Sequence, residues 1–397
     1  MKSNLLKTTL IAVAMVATTL TSVVPAHALT QNYAKTRLGG ADRYATAVEI
    51  SKEFVSDGKY CDTVILGRGD DFADSMSAGP LAVYYNAPIL LTWTETLHPT
   101  TEKRMVEMNI KNVVIVGGTG VVSTNVENQL KAKGYHVVRL GGADRYETNA
   151  LINAQIPKER WGWAPVISNG EDVYENLTAA VDMTSFTQNN ADTTVYINPI
   201  FLARPETDNV TQLESIAKQL DSVKAKWDTY WNSVGITGMY APKIDSQILQ
   251  NETNRTGTPT KSAIYDRFGR NAITGLATTF AKNGLPRKYY SNIIDIGRSF
   301  NANVVNMTNK RHGVILATGS DFVDALASTP LAGKFSMPIV FADKDINDIL
   351  NQLSLKDDMN FWNKNFVQPY AQVDHVYYAG GTAVVKDGAE SYLNGGH

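Results

Sequence analysis

The chain repeats itself, and this self-similarity constrains its fold more than any other feature of the sequence. The segment Arg37–Tyr44 (RLGGADRY) recurs unchanged at Arg139–Tyr146, 102 residues later. A weaker third copy begins at Asp266, where DRFGRNA aligns with the DRYETNA that begins at Asp144. Internal repetition is typical of a chain built from several copies of one supersecondary unit. The pattern predicts three related units in tandem.

Two further blocks follow each copy in the same order. The acidic block occupies Val64–Asp74, Val166–Glu175 and Val314–Asp324, and the glycine block occupies Val116–Gly120, Val234–Gly238 and Ala379–Ala383. The polar segment Asn251–Lys261 is typical of a loop and separates the second unit from the third. These landmarks predict an N-terminal segment and three repeats, at residues 1–28, 29–138, 139–263 and 264–397.

Hydrophobic periodicity within a unit predicts the fold class. Short apolar runs alternate with longer segments whose apolar residues recur at helical spacing. Strands that alternate with helices are typical of βαβ crossovers and of parallel sheets covered on both faces. The fold class is therefore α/β. The predicted strands are Thr63–Leu66, Pro88–Thr92, Val113–Val116 and His136–Leu140; the predicted helices are Tyr44–Val55, Ala73–Tyr84, Glu102–Met108, Val122–Lys131 and Thr207–Asn232.

The first 28 residues have the composition of a secretory signal peptide. Lys2 and Lys7 precede an uncharged apolar stretch, Thr8–Val24, and the triplet Ala-His-Ala ends at Ala28. We expect export, cleavage after Ala28 and no membrane association afterwards. Cys61 is the single cysteine, so an internal disulfide is excluded. It suits either a buried small hydrophobic residue or a lone thiol, and we favour the buried residue, although its role stays open.

Net charge and histidine spacing exclude several functional classes. The chain has 37 Lys and Arg against 39 Asp and Glu, a net charge of −2 that becomes −4 once the two lysines before residue 28 are removed. A broad basic surface for nucleic acid is therefore not expected. Neither a zinc-binding histidine spacing nor a nucleophile elbow occurs. We expect no cofactor, no metal and no catalytic activity.

The repeated motifs resemble a known family. RLGGADRY, followed by GDDFADS, APILL and IVGGTGVVS, is similar to the clostridial cell-wall-binding repeat of the second type, which usually occurs in three copies. The resemblance covers essentially residues 36–397. It implies three Rossmann- or Toprim-like modules packed as a pseudo-threefold triangle. It also implies a secreted surface protein held non-covalently by an anionic secondary polymer of the Gram-positive cell wall.

Two motifs are candidates for binding that polymer. Arginine suits bidentate contact with carboxylate or phosphate, and a glycine turn after a strand presents backbone N–H groups to an anion. The alternatives are ion pairs between units for the Asp-Arg motif and a tight turn with positive φ for the glycines. The candidate residues are Arg43, Arg145, Arg267, Gly117, Gly118, Thr119, Gly380, Gly381 and Thr382.

Three acidic pairs at a spacing of three residues follow strand-ending glycines. They are Asp71 and Asp74, Asp172 and Glu175, and Asp321 and Asp324. Such pairs suit a cation site or a catalytic carboxylate pair, or else the capping of a helix N-terminus. Because variants of the pattern occur in all three units, we favour helix capping.

The sequence as a whole favours a non-catalytic anchor whose several weak sites act together on a wall polymer. Two alternatives stay open: an amidase-like enzyme of wall remodelling, and a structural surface-layer protein whose partners are other surface-layer proteins. Tryptophans at 161, 163, 227 and 231 suit either stacking on sugars or packing, and we expect packing.

Overall fold

The structure is a computed structural model. It describes residues 34–58, 61–71, 73–162, 165–171, 176–177, 184–186, 194–204, 210–233, 243–244, 313–319, 322–335, 337, 339–341 and 375–389. The predicted signal peptide lies outside the described residues, as do Arg267, Asp172, Glu175 and Asp321. Among the described residues, no helix is long and apolar enough to cross a membrane.

The first repeat has the predicted alternation of strands and helices. Its elements and the two that follow are β1 (Ala34–Leu38), α1 (Arg43–Phe54), β2 (Thr63–Arg68), α2 (Gly79–Tyr84), β3 (Ile89–Thr92), α3 (Pro99–Glu107), β4 (Asn112–Val116), α4 (Thr124–Ala132), β5 (His136–Leu140) and α5 (Arg145–Ala154). One prediction is wrong in extent. The helix expected from Ala73 begins only at Gly79, with Pro80 in its first turn, where the missing proline N–H costs no intrahelical hydrogen bond.

The remaining elements extend the same pattern. They are β6 (Val166–Asn169), β7 (Thr184–Phe186), β8 (Val195–Ile197), β9 (Ile200–Ala203), α6 (Val210–Ser233), β10 (Lys243–Ile244), β11 (Gly313–Ala317), α7 (Val323–Phe335), β12 (Ile339–Phe341) and β13 (His375–Ala379). The long helix predicted in the second unit is confirmed as α6. Its apolar stripe is buried, at Leu213, Ile216, Leu220, Val223 and Trp227.

The described strands form three parallel sheets, which confirms the predicted α/β class. The strand orders are β3-β2-β4-β5, β10-β6-β9 and β1-β13-β11-β12, and β7 pairs with β8 in a separate antiparallel pair. The central strands β2, β4 and β11 are almost wholly buried because helices cover the sheets. The pseudo-threefold arrangement of the units stays a prediction.

Two strands complete a sheet formed mainly by another unit. β5 carries the second RL motif and pairs with β4, with Leu140 opposite Val116. β1 carries the first RL motif and pairs with β13 near the other end of the chain, with Leu38 opposite Ala379. The residues of a sheet and those of a sequence repeat are therefore not the same, because two of the sheets include the RL strand of a neighbouring repeat.

Helix packing joins the N-terminal repeat to the last described unit. α1 packs against α7, where Lys334 donates through Nζ to the Phe54 carbonyl at 2.8 Å and lies 3.1 Å from the Asp57 carboxylate. The Lys334 side chain is 11% exposed. This partly buried, charge-assisted contact lies at the C-terminal end of α1, where a cation is favoured by the helix dipole.

Candidate functional site

The repeated glycine motifs meet at two seams on the carboxyl edges of the sheets. In the first seam, the Gly117-Gly118 turn after β4 lies against Gly141-Gly142 after β5, and the Gly117 N–H donates to the Leu140 carbonyl at 2.8 Å. In the second seam, Gly380-Gly381 lies against Gly39-Gly40, and the Gly380 N–H donates to Leu38 at 3.0 Å. Ligands of open parallel sheets bind at this edge.

Close backbone approach explains the glycines at both seams. Gly117 has φ +110° and Gly380 has φ +117°, a backbone region that residues other than glycine rarely adopt. A Cβ at Gly39 would lie 2.6 Å from the Gly380 carbonyl oxygen, and a Cβ at Gly141 would clash with the Gly117 carbonyl. The tight turn with positive φ is therefore present, while anion binding by these turns stays a prediction. Thr119 and Thr382, just beyond the turns, are exposed.

The second acid of the first pair and that of the third pair each lie at a glycine turn. Asp74 lies beside the Gly118 backbone N–H, which acts to lower its pKa, and its Oδ2 lies close to Gly117. Asp324 is buried, and its Oδ2 has the same position beside Gly380. An acidic side chain of the protein therefore occupies the inner side of each turn.

Helix capping by Asp71 and Asp74, the interpretation favoured from sequence, is wrong. The helix that follows begins at Gly79, with Ala78 as its N-cap and no side-chain cap. Asp71 instead accepts from the Ala73 N–H at 3.1 Å within a turn. Asp324 does lie in the first turn of α7, where a carboxylate is favoured by the helix dipole, but its contact is with the glycine turn.

Replacing Asp74 by asparagine tests its position. Burial raises the pKa of Asp74, and the nearby Gly118 backbone N–H opposes that shift. The folded protein thus binds the proton more tightly than the unfolded chain, so this group's contribution to stability falls as the pH rises through the window above the ordinary aspartate pKa. Asp74→Asn should be more stable than the parent at pH 7, and this gain should vanish near about pH 4 in urea unfolding. An equal gain at both pH values would contradict the buried position.

The arginines of the RL motif hold the glycine turns, a role that the sequence analysis did not assign. Arg139 donates through Nη1 to the Gly117 carbonyl at 2.9 Å and through Nε to Glu127 at 2.8 Å. Arg37 donates through Nη1 to the Gly380 carbonyl at 2.8 Å. Hydrogen bonds from Lys131 and Arg139 lower the pKa of Glu127. Both seams therefore share one arrangement of side chains around the turn.

The Asp-Arg-Tyr motif begins the helix beside each seam. Asp42 accepts from the Ala45 N–H at 2.7 Å and caps α1, and Asp144 caps α5 in the same way. Arg43 donates to the carbonyl of Gly69 at 2.7 Å, and Arg145 donates to the equivalent Gly170 at 3.0 Å. These contacts tie each helix to the end of a strand, and they place Arg43 and Arg145 at the candidate edge. Whether the two arginines also touch a polymer stays a prediction.

Two residues at this edge were missed by the sequence analysis. Trp93 directly follows β3 and is 44% exposed. At the equivalent position after β9, Arg204 lies 4.3 Å from the centre of the Tyr146 ring and forms an ion pair with Asp144 at 2.5 Å. The signal that could have found them was their position directly after two equivalent strands, β3 in the first copy and β9 in the second. Two of the four tryptophans that the sequence singled out pack in the core: Trp161 and Trp227 are buried, and Trp227 Nε1 donates to the Trp161 carbonyl at 3.0 Å. Trp163 lies outside the described residues.

Among the residues that the structure describes, no group of three His, Cys, Asp or Glu side chains could hold a metal ion. Cys61 is buried, and its thiol donates to the Thr63 carbonyl. The charged and aromatic side chains at the seams are therefore the features that distinguish this edge chemically.

Comparison with known proteins identifies the repeated unit. Residues 37–127 and 296–390 match the family described as Cell wall binding domain 2. The two matches contain both glycine turns and confirm the resemblance for the first and third predicted copies. The residues of the middle copy, 139–263, lie outside the matched ranges, so the third copy of the family stays a prediction.

Curated relatives share part of the chain. This chain is 45% identical over 125 residues to the N-acetylmuramoyl-L-alanine amidase LytC of Bacillus subtilis, and the match covers 32% of this chain and 24% of that protein. It is 41% identical over 120 residues to the amidase enhancer of the same organism, covering 30% of this chain and 16% of that protein. The chain thus spans a quarter or less of the length of these two relatives.

Solved structures share the fold. Cwp6 from Clostridium difficile aligns with a TM-score of 0.57 and 22% identity over 91% of this chain and 48% of that one. Cwp8 from the same organism aligns with a TM-score of 0.58 and 18% identity over 91% of this chain and 52% of that one. At these identities the likeness is one of fold.

Proposed function

Because the chain carries two regions of the family Cell wall binding domain 2, we propose that it is a secreted protein that anchors itself non-covalently to an anionic polymer of the Gram-positive cell wall. The family match carries the cell-wall association. The polymer class, the secretion and the seams as its sites are the proposed part.

The electrostatics of the chain require localised contacts. With a net charge of −2 the protein has no overall attraction for an anionic polymer. A few fixed donors must supply the attraction. Arg204 suits this role because its side chain is 43% exposed, while the Tyr146 ring and Asp144 hold it in one place.

Several seams in one chain suit a repetitive polymer. Each seam offers a small, solvent-facing edge whose single contacts are weak. Linking such sites raises the overall affinity, since the second contact forms within an already bound complex. We propose that attachment to the wall is multivalent, and that surface-layer proteins are not needed for it.

Sedimentation with purified walls tests the proposal. The chain without residues 1–28 should bind intact Gram-positive walls and lose that binding after the anionic polymer has been stripped chemically. Arg204→Gln should weaken binding about three- to tenfold, the size of one localised charge contact. Lys111→Gln is the matched control, because it removes one positive charge at the opposite edge of the β2-β4 sheet.

Two outcomes would overturn the proposal. Undiminished binding to fully stripped walls would exclude the anionic polymer as the ligand. Release of soluble fragments from the wall during the incubation would instead favour a remodelling enzyme.

A further inference from the structure

Trp93 is exposed yet held in place by its neighbours. It lies next to two rings that are themselves buried: Tyr44, at 6.0 Å between ring centres and 73° between planes, and His98, at 4.4 Å and 65°. Neither ring stacks face to face with the indole. We call the three residues the Trp93 platform.

The two supporting rings are fixed by independent contacts. Tyr44 stacks on His98 at 4.0 Å and 13°, and it packs on the backbone of Gly69. His98 donates through its backbone N–H to the Thr92 hydroxyl at 3.0 Å and accepts through Nδ1 from the Thr100 N–H at 3.2 Å. A ligand that stacked on Trp93 would therefore meet a surface that loses little conformational entropy on binding.

Paired charges border the platform. The Gly69 N–H donates to the Thr92 carbonyl, which places the end of β2 beside Trp93. There Arg68 donates to both carboxylate oxygens of Asp70, at 2.5 and 3.0 Å, and the Asp70 side chain is 56% exposed. An aromatic face beside planar, hydrogen-bonding side chains suits a ring that has a C–H face and a rim of hydroxyl groups.

The equivalent position in the second repeat has different chemistry. Arg204 takes the place of Trp93, and it lies over Tyr146 as Trp93 lies beside Tyr44. The two positions share a scaffold, because Arg43 and Arg145 bond the matching glycines, Gly69 and Gly170. One edge therefore presents an apolar ring and the other a cation.

We propose that the Trp93 platform is a sugar-binding subsite, on which a pyranose ring of the wall glycan stacks against the indole while Arg68 and Asp70 bond its hydroxyl groups. This proposal rests on the proposed wall attachment and assigns a different part of the polymer to each of the two edges. The Trp93 edge binds the neutral sugar face, and the Arg204 edge binds the anionic group.

Salt separates the two contacts in a binding experiment on intact walls. Trp93→Ala should weaken binding about tenfold at both low and high ionic strength, because stacking is not screened. Arg204→Gln should matter at low salt and lose its effect at high salt. Trp93→Phe should keep most of the affinity, and Val106→Ala, at a valine that is 66% exposed on α3, is the control for removing exposed apolar surface.

A direct readout uses fluorine-labelled tryptophan. The chain has 6 tryptophans, and Trp93→Phe assigns the resonance of Trp93. Polymer released from walls should shift that resonance and leave those of the buried Trp161 and Trp227 in place. This measurement also reports on the folded state of each variant.

The outcomes distinguish this proposal from the one on which it rests. If stripping the polymer abolishes binding while Trp93→Ala binds intact walls like the parent and the Trp93 resonance stays fixed, wall attachment stands and the platform is excluded. If the parent binds stripped walls fully and Trp93→Ala does not, the polymer is excluded and the platform binds peptidoglycan sugar. No binding to any wall overturns both.

Discussion

Trp227→Ala is expected to lower the free energy of unfolding by about 3–5 kcal/mol, the cost of truncating a large buried aromatic side chain. Trp227 is 1% exposed and forms T-shaped contacts with Tyr196, at 5.0 Å between ring centres, and with Tyr230, at 5.7 Å. Its indole N–H donates to the Trp161 carbonyl. The substitution therefore opens a cavity under α6 and removes a buried hydrogen bond.

Urea unfolding measures the loss of free energy, and amide hydrogen exchange in the folded protein shows where in the structure the loss occurs. Exchange should accelerate first in α6 and in the strands β8 and β9 beneath it. Trp227→Phe keeps most of the volume and loses only the hydrogen bond, so it should cost about 1–2 kcal/mol. A loss below about 1 kcal/mol for Trp227→Ala would mean that α6 does not pack on this core.

Gly141→Ala is expected to destabilise the first seam by about 3 kcal/mol, near the upper end for overpacking, because the obstacle is rigid backbone. A Cβ there would clash with the carbonyl of Gly117 and lie 2.6 Å from the Gly118 nitrogen. Either the β4 turn or the β5 strand must move. The Asp74 contact with Gly118 and the Arg139 bond to Gly117 should then weaken together.

Two glycines nearby supply matched controls for thermal unfolding. Gly120 has open space around its Cβ position, and the nearest atom to a Cβ at Gly118 lies at an ordinary 3.6 Å. Alanine at either should cost less than about 1 kcal/mol. Gly39→Ala, in the second seam, should be as harmful as Gly141→Ala. A harmless Gly141→Ala would show that the two turns are farther apart than described.

Much of the fold was predictable because it depends on local periodicity. The alternation of short apolar runs with helical patterns predicted the parallel sheets. The apolar stripe through Leu213, Leu220 and Trp227 predicted α6 correctly. The helix expected from Ala73 was the exception. Its predicted range includes the turn at residues 73–77, and the helix begins only at Gly79, with Pro80 in its first turn.

The candidate site was less predictable because its residues meet only through the folding of distant segments. The acidic and glycine motifs were each noticed separately, yet the contact between Asp74 and the Gly118 N–H joins residues 44 positions apart. Trp93 and Arg204 occupy equivalent positions but differ in chemistry. The repeats were recognised by their identical residues, so these two positions did not stand out. Exposure, which singles out Trp93, is a property of the tertiary structure.

The sequence by itself determined the repeats, the α/β class and the need for glycine after particular strands, because these follow from spacing and side-chain size within one segment. Only the tertiary structure decided which unit each RL strand joins. Leu38 pairs opposite Ala379, across 341 positions of sequence, while Leu140 pairs with a strand in the preceding repeat. Backbone hydrogen bonds between two strands are the same whether the strands are near or far apart in the sequence. The choice of partner therefore appears only once the sheets have formed.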